Sequence, residues 1–199
     1  MPIILGLIIA GLIIAALISL GRTIFGGGGG GSSPSPSASP QVNAGKQALT
    51  STLTDRSVQM TVRGPIVADE SFHSYTITIT PTTRNITTYV GYIGQSVDNN
   101  QLTNNTQAYE QLVYSLDRAK LMDGTPLSDG ANDERGVCAT GTVYEFEVLQ
   151  GTNAIQKLWT STCVGSLGSL KANLGQVTNL FEQQIPTFRA LLQKINLNS

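Results

Sequence analysis

Residues 57–63 alternate Val58, Met60 and Val62 with Gln59, Thr61 and Arg63, the period of two that marks a half-buried strand. Residues 72–80 alternate more cleanly, with Tyr75, Ile77 and Ile79 against Thr76, Thr78 and Thr80, until Pro81 ends the ladder. Residues 85–95 predict a third strand, with Gly91 and Gly94 as bulge or bend positions. A short helical or irregular lead-in at 46–54 precedes these three, which form an antiparallel meander. The polar stretch 99–105 reads as a turn.

From Thr106 the period changes. Tyr109, Leu112, Val113, Leu116 and Ala119 fall at helical spacing, with Asn105 or Thr106 placed to cap the free amides and Asp123-Gly124 beyond the end. After a loop at 126–136, residues 142–149 and 154–160 predict a hairpin about Gly151. Leu170, Leu174, Val177, Phe181, Ile185, Phe188, Leu192 and Ile195 then step by three or four along one long amphipathic helix. Pro186 falls inside it, so a kink or two helices meeting near Ile185 is expected. The predicted order is βββ-α-ββ-α: an α+β domain, a mostly antiparallel sheet packed by two helices.

The N-terminus has a different pattern. Residues 3–20 are eighteen residues without a charge, enough for a helix of about 27 Å, close to the hydrocarbon thickness of a bilayer. A cleaved signal peptide is the rival, but its basic n-region is missing and Ser19 and Gly21 make a poor cleavage site. Residues 1–21 are therefore expected to be a transmembrane signal-anchor. Residues 22–44 follow as a Gly/Ser/Pro linker, with six glycines and then SSPSPSASP. Residues 45–199 form the folded domain. Arg22 on the C-terminal flank argues for a cytoplasmic domain. The cysteines and the tether composition argue for an extracytoplasmic one, which is the expectation kept.

Cys138 and Cys163 are the only cysteines, and the midpoint between them falls at the Gly151 turn. Folding about that turn brings them together, so a disulfide is expected, closing a loop worth about 3 kcal/mol. Two free buried thiols are the alternative. The domain carries 11 basic and 13 acidic residues, net −2, with no basic cluster. Nucleic-acid binding and recruitment by anionic headgroups need a positive field that is missing here.

Candidate chemistry is sparse. His73, the sole histidine, lies near Asp69, Glu70, Ser71 and Ser74, but neighbouring strand residues point to opposite faces, which disfavours a catalytic set. Asp123, Asp129, Asp133 and Glu134 make an acidic loop without calcium-hand spacing, and turn chemistry accounts for it. Glu145 and Glu147 share one strand face. Paired carboxylates can serve glycoside hydrolysis, but solvated strand-face charges are favoured. Trp159, Tyr144, Tyr89, Tyr92 and Phe146 are expected in the core ahead of a binding surface. Asn85 and Asn104 head glycosylation sequons, which count only in a eukaryotic secretory pathway.

No phosphate loop, nucleophile elbow or metal box is present, so no cofactor, metal or catalytic residue is expected. The function expected is a membrane-anchored, non-enzymatic binding module for an extracellular protein or surface ligand. A structural subunit of an envelope assembly is the alternative, and a surface hydrolase the third possibility.

Overall fold

The computed structural model describes residues 43–195 and 197. The expected anchor and all but the last two residues of the expected linker lie outside them. Among the described residues no helix is long and apolar enough to cross a membrane. The expected linker end, Asn43 and Ala44, belongs to the folded part: Asn43 caps the first helix through its side chain and donates to Met122 O (2.6 Å).

The elements are α1 (Ala44–Leu49), β1 (Arg56–Arg63), β2 (His73–Ile79), β3 (Thr83–Val90), β4 (Gln95–Thr103), α2 (Thr106–Arg118), β5 (Val143–Gln150), β6 (Asn153–Ser161), α3 (Leu174–Glu182) and α4 (Phe188–Leu192). The six strands form one sheet, ordered β4-β3-β2-β1-β5-β6, with every neighbouring pair antiparallel. The α+β class and the antiparallel sheet are therefore as the sequence predicts. The element order differs in one strand: a fourth strand follows the meander, while the helical lead-in is there as Ala44–Leu49.

That fourth strand corrects two expectations. The third strand stops at Val90 instead of running to Gln95, and Gly91 and Gly94, at φ 76° and 72°, are bend positions in the turn that follows. The segment 99–105, expected as a turn, is mostly β4. A strand with polar residues on both faces has no period-two signal. Here the ladder to β3 holds it, aided by Asn100 donating to Thr187 Oγ1 (2.6 Å) and by the Lys194–Asp98 ion pair (2.6 Å).

One face of the sheet is apolar. Leu158, Phe146, Met60, Ile77 and Ile86 make a continuous row of cross-strand partners over five strands, and all are fully buried. All four helices contribute to the same core. Tyr109, Leu112, Val113 and Leu116 are the buried stripe of α2, whose free amides are capped by Asn105, as its spacing predicts. Phe181 of α3 meets Phe146 at 5.9 Å between ring centres, and Phe188 of α4 meets Tyr75 edge-on at 5.5 Å. The C-terminal stripe is two helices meeting near Ile185, one of the two outcomes expected at Pro186. Pro186 has no N–H to donate, and the chain breaks between Glu182 and Phe188 with Ile185 buried at the corner.

The other face is polar, and its side chains hydrogen-bond across strands. Thr61 meets Thr76 (3.1 Å), Thr78 donates to Gln59 (2.9 Å), and Asn99 donates to Thr87 (2.7 Å).

Candidate functional site

Cys138 and Cys163 form the expected disulfide, with Cα atoms 5.5 Å apart. It joins the residues just before β5 to those just after β6. The antiparallel register puts it at the same end of the sheet as the β1–β2 connection and the β3–β4 turn. Functional geometry concentrates at this end.

The first feature is a charged cluster on the polar face, where Glu145 of β5 is buried, 6% exposed. The loop between α2 and β5 delivers Glu134 beside it, also buried. Two cations lie against the pair. Lys157 Nζ reaches Glu134 at 2.7 Å and Glu145 at 3.1 Å, and Arg63 reaches them at 2.9 and 3.5 Å. This corrects the reading of Glu145 as a solvated strand-face charge. Glu147 is half-buried and accepts from Gln59 Nε2 (3.0 Å).

The electrostatics follow from burial. Desolvation, then a hydrogen bond to Glu134, push the Glu145 carboxyl up to about 7. Burial opposes ionisation of Glu134 as well, but hydrogen bonds with Glu145 and Lys157 outweigh it and hold Glu134 below the ordinary value. Burial would lower Lys157, yet the two carboxylates keep it above its usual value. The pair therefore retains one proton into the neutral range, between two cations.

The second feature is a cavity of about 370 Å³ beside that cluster. Ile66, Phe72, Tyr92 and Val143 give it apolar walls, and Arg63, Glu134 and Arg135 are its charged residues. Tyr92 is the organising side chain. Its ring stacks on Phe72 at 4.2 Å, its hydroxyl donates to Val67 O (2.7 Å), and its N–H donates to Asp69 Oδ1 (2.7 Å). These contacts pin the β3–β4 turn to the β1–β2 connection. Gly91 is needed at that junction, because its φ is positive and a Cβ would sit 3.1 Å from the Asp69 carboxylate.

Large apolar side chains lie exposed around this cavity end. Ile93 is 93% exposed and Tyr92 50%, and Ile66 and Val97 are also exposed. Val164 and Leu167, in the segment after β6, continue the set.

The other candidates disperse. His73 is half-buried, and among the described residues no hydrogen bond joins it to Asp69, Ser71 or Ser74. In the acidic loop Asp123 pairs with Lys46 (3.5 Å), while hydrogen bonds from the Arg135 side chain and backbone hold Asp133 well below the usual carboxylate range. Among the described residues no group of His, Cys, Asp and Glu is placed to hold a metal ion. Of the aromatics, Phe146 and Trp159 are buried, Tyr144 and Tyr89 half-buried, and Tyr92 exposed. Arg63, Lys157 and Phe72 were not candidates in the sequence. Lys157 had a partial signal, lying on the second strand of the predicted hairpin, but its place opposite Glu147 depends on the register shift between Val148 and Leu149.

No known protein family matches this chain, and no characterised protein matches it either.

Proposed function

We propose that the chain is a single-pass membrane-anchored protein whose extracytoplasmic domain is a non-enzymatic binding module. Its ligand is a protein or surface molecule that presents an apolar group to the cavity at the disulfide-bearing end of the sheet. The observation that carries this is the joint exposure of Ile66, Tyr92 and Ile93 around a cavity with apolar walls. Exposed apolar groups clustered about a concavity are the usual mark of an interaction site.

Catalysis is less well supported. The polar groups that converge, Arg63, Glu134, Glu145 and Lys157, are engaged with one another, and both carboxylates are buried. A tether favours binding too, since a linker lifts a domain clear of the bilayer surface.

The test is site-specific photocrosslinking of the full-length chain in its own envelope. A benzophenone side chain at Ile93 should give a discrete adduct with another molecule. The same probe at Thr152, in the β5–β6 turn at the opposite end, should not. Absence of an adduct at Ile93, or the same adducts from both positions, overturns the proposal.

A further inference from the structure

The two edges of the sheet are treated differently. At β6 the main chain is covered by the segment that follows it. Trp159 O accepts the N–H groups of Ser169 (2.9 Å) and Leu170 (3.0 Å), and Trp159 N–H goes to Ser169 Oγ (3.1 Å). At β4 no further strand pairs with the edge among the described residues, and Thr187 and Lys194 meet it only through the side chains of Asn100 and Asp98.

Which groups of β4 face outward follows from the register. Asn104 donates its N–H to Thr82 O (2.8 Å), and the pairing continues through Thr83↔Thr103, Asn85↔Gln101 and Thr87↔Asn99. Antiparallel pairs alternate between bonded and non-bonded. Leu102, Asn100 and Asp98 therefore bond inward to β3, while Asn99 and Gln101 turn their main-chain groups outward. The Asn99 N–H reaches only the neighbouring Asp98 Oδ1 (2.9 Å).

Sheet edges left open in monomers usually carry lysine, proline, inward charges or strong bulges. Strand β4 has neither lysine nor proline. Its single charged residue, Asp98, is paired with Lys194. Its one irregularity, opposite Thr88 and Tyr89, leaves Asp98–Thr103 regular. The composition of that stretch also selects a partner. An antiparallel twofold pairing centred on Asn100 sets Asn99 opposite Gln101 of the second copy and Asp98 opposite Leu102. No like charges then oppose each other, and amides face amides on the polar face. Centring on Asp98 would oppose two carboxylates, which is destabilising. Centring on Asn99 would draw the irregular residues into the ladder.

We propose that β4 is the interface of a twofold dimer, in which the 98–102 edges of two copies of this chain pair antiparallel about Asn100 and join their sheets into one. The dimer stands independently of any ligand at the cavity end. Because the two edges run antiparallel, the two cavity ends point in opposite directions along the joined sheet and stay free of the interface.

The full-length chain in its own membrane tests this. Gln101→Cys places a thiol on the exposed polar face, and the two native cysteines are already paired. A short bis-maleimide should convert the variant to a band at twice the monomer mass. Adding Asn99→Lys, which sets a charge against the partner edge without touching the core, should cause loss of that band. Thr152→Cys should give none. A Gln101→Cys chain that reacts with a mono-maleimide yet stays monomeric with the bis-maleimide overturns the proposal. So does a dimer band that persists with Asn99→Lys, or one equally strong from Thr152→Cys. As a second reading, the Gln101 main-chain amide should exchange slowly with solvent in the dimer and fast in the Asn99→Lys variant. Fast exchange in both counts against the pairing.

Discussion

Glu145 shows how far one buried carboxyl can set the pH response. In the unfolded chain it would lose its proton near the ordinary value, 4.5, whereas in the fold it holds it to about 7. Between those values the native state binds more protons than the unfolded one, so stability falls as pH rises through that window. Glu134, held low, works the other way, adding stability as pH rises through the range below 4.5. Stability should therefore fall from about pH 5 to pH 8 by on the order of 1–3 kcal/mol, seen as a lower thermal midpoint. Glu145→Gln, neutral throughout, should flatten most of that fall in a series of melts. Burial also raises Glu147 and Glu182, which leaves a residual slope. An unchanged slope in the variant would remove Glu145 as the cause. Gly45 makes a second residue-scale test. A Cβ there would lie 1.9 Å from Gln156 Oε1 and 2.7 Å from its Cβ. Gln156 has little freedom to retreat, because its amide donates to Met122 O (3.3 Å) and Gly124 O (3.2 Å). Gly45→Ala should lower stability by about 1–3 kcal/mol despite the better helix propensity of alanine, as read by denaturant midpoint.

At the scale of elements, legibility in the sequence tracked apolar periodicity. Val58, Met60 and Val62, and Tyr75, Ile77 and Ile79, face the core as their alternation predicts, and Tyr109 to Leu116 do so at helical spacing. Strand β4 escaped because Val97 and Leu102 are its only large apolar residues, and a register with β3 is information that lies outside the segment itself. The C-terminal stripe was visible and Pro186 marked where it would part, but whether as a kink or as two helices was left open. The disulfide was legible from the position of the hairpin turn. The charged cluster was not, because Glu134 comes from a loop whose partners, Arg63 on β1 and Lys157 on β6, are distant in sequence. Those contacts give the loop a specific dependence on one side chain. Glu134→Gln keeps the shape and removes the charge, leaving Arg63 and Lys157 facing Glu145 alone. Residues 125–137 should then exchange amide hydrogens faster than in the parent, while β1 and β2 keep their protection. Uniform acceleration over the whole domain would instead make Glu134 part of the global fold.

For the whole molecule the arrangement is directional: helices on one face, a polar sheet on the other, and one end where the apolar tips, the cavity and the disulfide meet. The disulfide spans 25 residues of chain. Closing a loop of that size restricts the unfolded ensemble by about 3 kcal/mol. Thr162 Oγ1 also accepts the Thr142 N–H (2.9 Å) beside the bridge, and Ile66 N–H reaches Ala139 O (2.8 Å), so the covalent link is built into the same end that carries Ile66 and Tyr92. Replacing Cys138 and Cys163 together by alanine should lower the melting temperature by roughly 6–12 °C, at about 2–4 °C per kcal/mol for a domain of this size. The core row from Leu158 to Ile86 lies away from the bridge, so the double variant should still fold, with loosening concentrated at the cavity end. Amide exchange that quickens over residues 64–72 and 134–142 before it quickens in α2 would bear this out. An unchanged melting temperature would mean that the hydrogen bonds at that end already supply the constraint the bridge was thought to impose.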